Sequence, residues 1–281
     1  MPDCAPDEVA RWDGGCTPAG AQGCADGFES DGEGGCVAVV PKGECPLGQM
    51  KILGEARCVD VAPCTGRWGA APVDAQTVFV DASFLGGTSD GSEGAPFTVL
   101  ADAVAATPVG GTIAIAAGDY DRVEINAPLD LWGACPAEVR IHGGMTAADS
   151  VAVFVAASSV GVHDLTITDS RFGVVAVAPN LTLERVVIHD LSSYGLWVDG
   201  DFAPGASATV RRSSFVRTTS NAMAAFDASI LVEDVHVDDT RTNDIGESGR
   251  GLATRPGLSH AEVAVDGLVV ERSRIAGVFL R

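Results

Sequence analysis

His189-Asp190, Arg217 and Asp238-Asp239 stand at related places in successive segments of the chain. An imidazole and two carboxylates brought together could serve as the acid and base of glycoside chemistry, which uses two carboxyl groups ~5 to 10 Å apart. His189 and His236 are expected on the exposed parity of their strands, where a lone histidine is most often unremarkable. Asp169 and Asp190 would stack with no cation between them; Ca²⁺ could relieve that repulsion, since carboxylate oxygens suit it, although solvent screening suffices. A different chemistry is offered by two long loops, Asp199 to Ser207 and Thr240 to His260. They bring Trp197, Asp201, Phe202, Asn243, Asp244, Arg250 and Arg255 forward as ligand-binding candidates, because loops on a rigid scaffold commonly carry recognition. Solvated spacer sequence is an equally good account of them.

The elements that must position these residues are visible as a repeat. Val160, Val162, Leu165 and Ile167 align with Leu181, Leu183, Val186 and Ile188, then with Ala208, Val210, Ser213 and Phe215. Ile230, Val232, Val235 and Val237 follow, and last Val263, Val265, Leu268 and Val270. Every copy steps by 2, 3, 2. A strand alternates faces and would step by 2 throughout, so the step of 3 predicts a corner that keeps both apolar pairs pointing inward. The corner residues, His163-Asp164, Glu184-Arg185, Arg211-Arg212, Glu233-Asp234 and Asp266-Gly267, are polar or Gly and are expected to be exposed. Gly173, Gly195 and Gly277 then open a third apolar run, with Ala222 replacing Gly in the third copy. Three short strands per copy, recurring after 21, 27, 22 and 33 residues, describe an all-β solenoid whose like positions form ladders. Two such ladders are charged: Asp169, Asp190, Arg217, Asp239, Arg272, and Glu184, Arg211, Glu233. Opposite charges stacked on neighbouring strands are worth ~0.2 to 1 kcal/mol each, and this structural role outranks catalysis for the same residues.

Upstream, seven of eight cysteines lie within the first quarter: Cys4, Cys16, Cys24, Cys36, Cys45, Cys58 and Cys64, with Cys135 beyond. Their spacing lacks the paired knuckles of a structural zinc site, so disulfides are the expected use. Long intervals recur every 20 to 21 residues, which favours closing each repeat on itself and joining Cys64 to Cys135, among on the order of 100 connectivities. Crosslinks would replace a core that so short a segment cannot build. The expected division is residues 1–75, disulfide-stapled, and residues 76–281, the solenoid.

Charge narrows the partners. With 18 basic against 38 acidic residues the net charge is −20, and no basic stripe is present, so nucleic acid is excluded as a partner. No run reaches the ~18 apolar residues of a membrane span. Disulfides imply an oxidising compartment, and Met1-Pro2-Asp3-Cys4 has no signal-peptide pattern, so a leader removed upstream is expected. The apolar run at Phe279-Leu280 predicts further coils, a cap or a partner chain beyond Arg281.

Val78-Phe79-Val80-Asp81, the Asp90-Gly91 loop, Pro96-Phe97, a helix to Ala106, and Gly110-Gly111-Thr112 through Gly118-Asp119-Tyr120 resemble the opening coil of right-handed parallel β-helix proteins of the pectin-lyase-like superfamily. The style is that of secreted bacterial members with a Cys-rich leader. The resemblance implies a three-sheet β-helix over about three quarters of the chain and a short helix, Pro96 to Ala106, capping the first coil. Many members are polysaccharide lyases, hydrolases or epimerases. Of the polygalacturonase-like signatures only Asp238-Asp239 has a counterpart, and the sole lysines, Lys42 and Lys51, lie in the leader. Pectate-lyase-like action needs a calcium-holding acidic cluster beside an arginine, which Arg217 between Asp190 and Asp239 imitates. Two functions therefore stand: an extracellular or cell-surface, non-catalytic spacer, adhesin or surface for polysaccharide or cell-surface glycans, needing no cofactor; or a polysaccharide lyase or glycoside hydrolase using the outer acidic residues.

Overall fold

The computed structural model describes residues 4, 8–10, 15–18, 23–144, 150–202, 204–246, 248–255 and 262–280. From residue 77 the chain winds as a parallel β solenoid with three walls. The first wall stacks Thr77–Val80, Gly111–Ile115, Leu129–Gly133, Val160–His163, Leu181–Glu184 and Ser207–Arg211. The second stacks Gly118–Asp121, Val139–Gly144, Thr166–Ser170, Val187–Leu191 and Ser214–Thr218. Strands Ser229–Asp238 and Glu262–Glu271 run across the corner, so hydrogen bonding joins both walls into one sheet of thirteen strands, with Glu262–Glu271 branching from Ser229–Asp238. The third wall is a separate parallel sheet of seven strands, from Val123–Ile125 to Ala276–Phe279.

The inward quartets sit over one another as the 2, 3, 2 spacing requires. Val160, Leu181, Ala208 and Ile230 are successive register partners, as are Val162, Leu183, Val210 and Val232. All of these are at most 4% exposed. The phase slip has a backbone cause: Asp164, Arg185, Arg212, Asp234 and Gly267, the second corner residue of each coil, have φ between 44° and 76°. One left-handed residue turns the chain and restores inward parity on the next wall. The charged ladder Asp169, Asp190, Arg217, Asp239 and Arg272 is likewise left-handed, with φ of 49° to 55°. These residues therefore form the corner between second and third walls.

The third-wall glycines answer a packing need. A Cβ on Gly173, Gly195 or Gly251 would lie 2.4 to 2.6 Å from the carbonyl oxygen of the matching residue in the next coil. The helix is shorter than expected, Leu100–Ala106, because Phe97 exchanges backbone hydrogen bonds with Phe79 and Asp81 and so belongs to the sheet edge. Leu100 and Ala103 join the core at the first coil.

In the leader, three antiparallel hairpins are pinned by Cys4–Cys16, Cys24–Cys36 and Cys45–Cys58. Cys64–Cys135 ties the segment after them to the solenoid. The third hairpin, Gln49–Met50 with Val59–Asp60, packs Met50, Ile52, Val59 and Val61 onto Val187 of the second wall. This docking overturns one expectation: His189 and His236 are not exposed but 8% and 2% accessible. His163 and Asp164 also depart from the expected exposed corner, at 7% and 3%. Asp164 tolerates burial because Arg185 from the next coil binds both its oxygens, at 2.6 and 3.1 Å. His163 stacks on Trp132 with ring centroids 4.0 Å apart.

Candidate functional site

Two surfaces carry the residues singled out by sequence, and they differ in kind. On the second wall, the leader loop around Leu47 crosses the outer face between two clefts. One, of about 410 Å³, is lined by Asp119, Arg140, His142, Thr168, Asp169 and His189 among others. The other, of about 250 Å³, is lined by Glu44, Arg217, His236, Asp238, Asp239 and Arg272 among others. The candidate catalytic set is thus divided between them.

Within that set every carboxylate has a cationic partner. Arg217 donates from Nε and Nη2 to the two oxygens of Asp190, each at 2.6 Å. His189 Nδ1 meets Asp190 Oδ2 at 2.7 Å. The Arg217 hydrogen bond holds the Asp190 carboxyl down at about 2, against partial burial. Asp190 therefore stays ionised and cannot supply the proton that a glycosidic leaving group needs. Asp238 is bound by Arg272 at 2.6 and 2.7 Å, and Asp239 by Arg241. Thr168 Oγ1 and Asp190 both address the same nitrogen of His189, at 3.2 and 2.7 Å. A nucleophile–base–acid relay needs the two ring nitrogens to serve different partners.

Of the two stacked carboxylates Asp169 and Asp190, Asp190 takes its cation, Arg217, from the following coil. In the corner ladder, Arg211 pairs with Glu233 as expected, whereas Glu184 turns to Arg185 at 2.6 Å and lies 3.3 Å from His163.

The outer face of the third wall is aromatic. Trp197 lies 5.2 to 5.6 Å, ring to ring, from Tyr194, Phe226 and Phe172, and Phe172 stacks parallel to Tyr194 at 6.0 Å. Successive rungs bring them together: Trp197 is in register with Val175, and Val175 with Phe154. On one side, Phe154, Phe172, Trp197 and Phe202 line an apolar groove of about 380 Å³, and Phe202 is 80% exposed. On the other, Trp197, Tyr194, Asn243, Asp244, Ser192 and Ser193 contribute to a polar cleft of about 550 Å³. Arg255 closes the rim, its guanidinium 4.9 Å over Phe226 and 4.0 Å from Asp201. Arg250 stands further along, 4.3 Å over Phe279.

The structure therefore brings Trp197, Phe202, Asn243 and Asp244 to one surface, with Asp201 and Arg255 at its edge. Of the expected loop 240–260, residues 247 and 256–260 lie outside the described residues. Phe172, Tyr194 and Phe226 are additions that sequence reasoning missed. A signal existed: Phe172 and Tyr194 each stand immediately before the third-wall Gly of successive coils.

No family model and no curated protein matches the chain. Among solved structures, the pectate lyase Pel9A is similar over 73% of this chain and 67% of its own, at 13% identity and TM-score 0.50. The fold is the right-handed parallel β-helix. A pectin methylesterase from Aspergillus niger aligns over 75% of this chain and 86% of its own, at 9% identity and TM-score 0.45. At 13% identity the likeness to Pel9A concerns the β-helix itself.

Proposed function

We propose that this β-helix is a glycan-binding module of an extracellular or cell-surface protein, and that the third wall holds the sugar. The observation that carries this reading is the Trp197 cluster with Asn243 and Asp244 beside it. Sugar rings present an apolar C–H face that packs on aromatic rings, and hydroxyls that pair with amide and carboxylate groups. A mainly apolar groove with a few polar groups on one edge suits such a ligand. In a chain only 6% aromatic, six aromatic side chains share this one face. Four disulfides support an oxidising, extracellular setting.

Binding without catalysis is favoured by the paired state of the second-wall carboxylates, above all the Arg217 grip on Asp190. The test is calorimetric titration against neutral and acidic oligosaccharides, with parallel assays for new reducing ends and unsaturated products. Saturable binding weakened at least tenfold by Trp197→Ala, with no product, is expected. Product from any polysaccharide, or binding indifferent to Trp197→Ala, overturns the proposal.

A further inference from the structure

Lys51, from the third leader hairpin, is 4% exposed and places its ammonium 2.8 Å from both carboxylate oxygens of Glu271, 220 residues away. Beside it stands His236, 2% exposed, whose Nε2 has no hydrogen-bond partner and lies 3.6 Å from Glu271 Oε2. That separation is long for a hydrogen bond. It is close to the ~3.3 Å edge of a tetrahedron of donors each ~2.0 to 2.1 Å from a zinc-sized ion. The second ring nitrogen, Nδ1, is 3.5 Å from Ser214 Oγ, the kind of outer partner that orients a metal-binding imidazole. Asp238 completes the set, with one donor atom from each of His236, Asp238 and Glu271 lying within 4.8 Å of the others. His236 Nε2 is thus buried and without a hydrogen bond in either tautomer, facing two carboxylates of which one is bonded by Lys51 and the other by Arg272.

We propose that His236, Asp238 and Glu271 form a binding site for a divalent transition-metal ion of the zinc class, and that Lys51 occupies its cation position with an ammonium group. One imidazole and two carboxylates suit zinc better than calcium, which takes six or more oxygens. The two cations exclude each other. Docking of the hairpin through Lys51 and metal binding are thus linked, each weakening the other by the same factor. Three protein donors leave a fourth position for water. The inference is independent of the third wall and of the glycan reading.

Replacing Lys51 by Met keeps the buried stem and removes the charge that sits on Glu271; Arg272 stays on Asp238, whose oxygens each keep a further lone pair for the ion. Calorimetric titration of the full chain carrying Lys51→Met with Zn²⁺ is expected to show one equivalent bound at least tenfold more tightly than by the native chain. Adding Glu271→Gln or His236→Gln to that variant should weaken binding at least tenfold. Glu271 is only partly buried, so its variant keeps the test decisive if the His236 variant fails to fold, as judged by circular dichroism. Absence of Zn²⁺ binding to Lys51→Met at millimolar concentration overturns the site. Binding unchanged by Glu271→Gln, or Ca²⁺ binding as tight as Zn²⁺, does so too.

Discussion

Arg217 holds both oxygens of Asp190 across adjacent coils at 2.6 Å, and both residues sit at a left-handed corner position. The pair keeps two backbone turns in register while neutralising the carboxylate. With the folded value near 2, below the ordinary 3.8, the contribution is complete above about pH 4 and is lost as pH falls toward 2. The Asp190 side chain is 42% exposed, so solvent screening reduces the contribution to about 1 kcal/mol. Urea melts of native protein and Asp190→Asn should differ by that amount at pH 6 and converge near pH 2.

Two histidines give a second pH dependence at higher pH. Burial pushes His163 below its usual 6.5 against the pull of Asp130, Glu184 and Asp164. His236 is lowered for the same reason, against Asp238 and Glu271. A group harder to protonate when folded gives stability that is complete above about pH 6.5 and falls as the pH drops below it. Thermal melts should show a lower Tm at pH 5 than at pH 7.5, with a smaller drop in His163→Gln.

Close approach of coils makes one glycine far more sensitive than its counterpart. An added Cβ at Gly195 would meet the Ala222 carbonyl oxygen at 2.4 Å and the Phe215 ring at 2.6 Å, whereas at Gly277 nothing lies nearer than 3.6 Å. Gly195→Ala should cost about 1–3 kcal/mol through overpacking. Gly277→Ala should stay within about 0.5 kcal/mol. Denaturant melts of the two variants check the contrast.

The crosslink with the longest sequence separation should matter most to the whole. Cys64–Cys135 spans 71 residues, against 12 or 13 for the hairpin bridges. Its removal in Cys64→Ser with Cys135→Ser should cost about 4 kcal/mol by loop-closure entropy. It should also make the chain around Cys64 cleavable under limited proteolysis.

The spacing of apolar residues along the chain was sufficient for the solenoid. A 2, 3, 2 quartet has one face-consistent solution, and register then follows because a slip by one residue would turn every inward side chain outward. That is why Leu183 over Val210 was legible, as were the glycines that open the third wall. Cysteine intervals favoured the observed pairing in the same local way. The surfaces were legible only in part. Trp197, Asn243 and Asp244 stood out by their loops, but Phe172, Tyr194 and Phe226 look unremarkable until successive rungs stack them. Nothing in the order of residues joins Lys51 to Glu271 or covers His189 and His236. Those outcomes depend on where the third hairpin lands, which is set by contacts made across the folded coils: Met50 and Val61 on Val187, Lys51 on Glu271, and the Cys64–Cys135 tether.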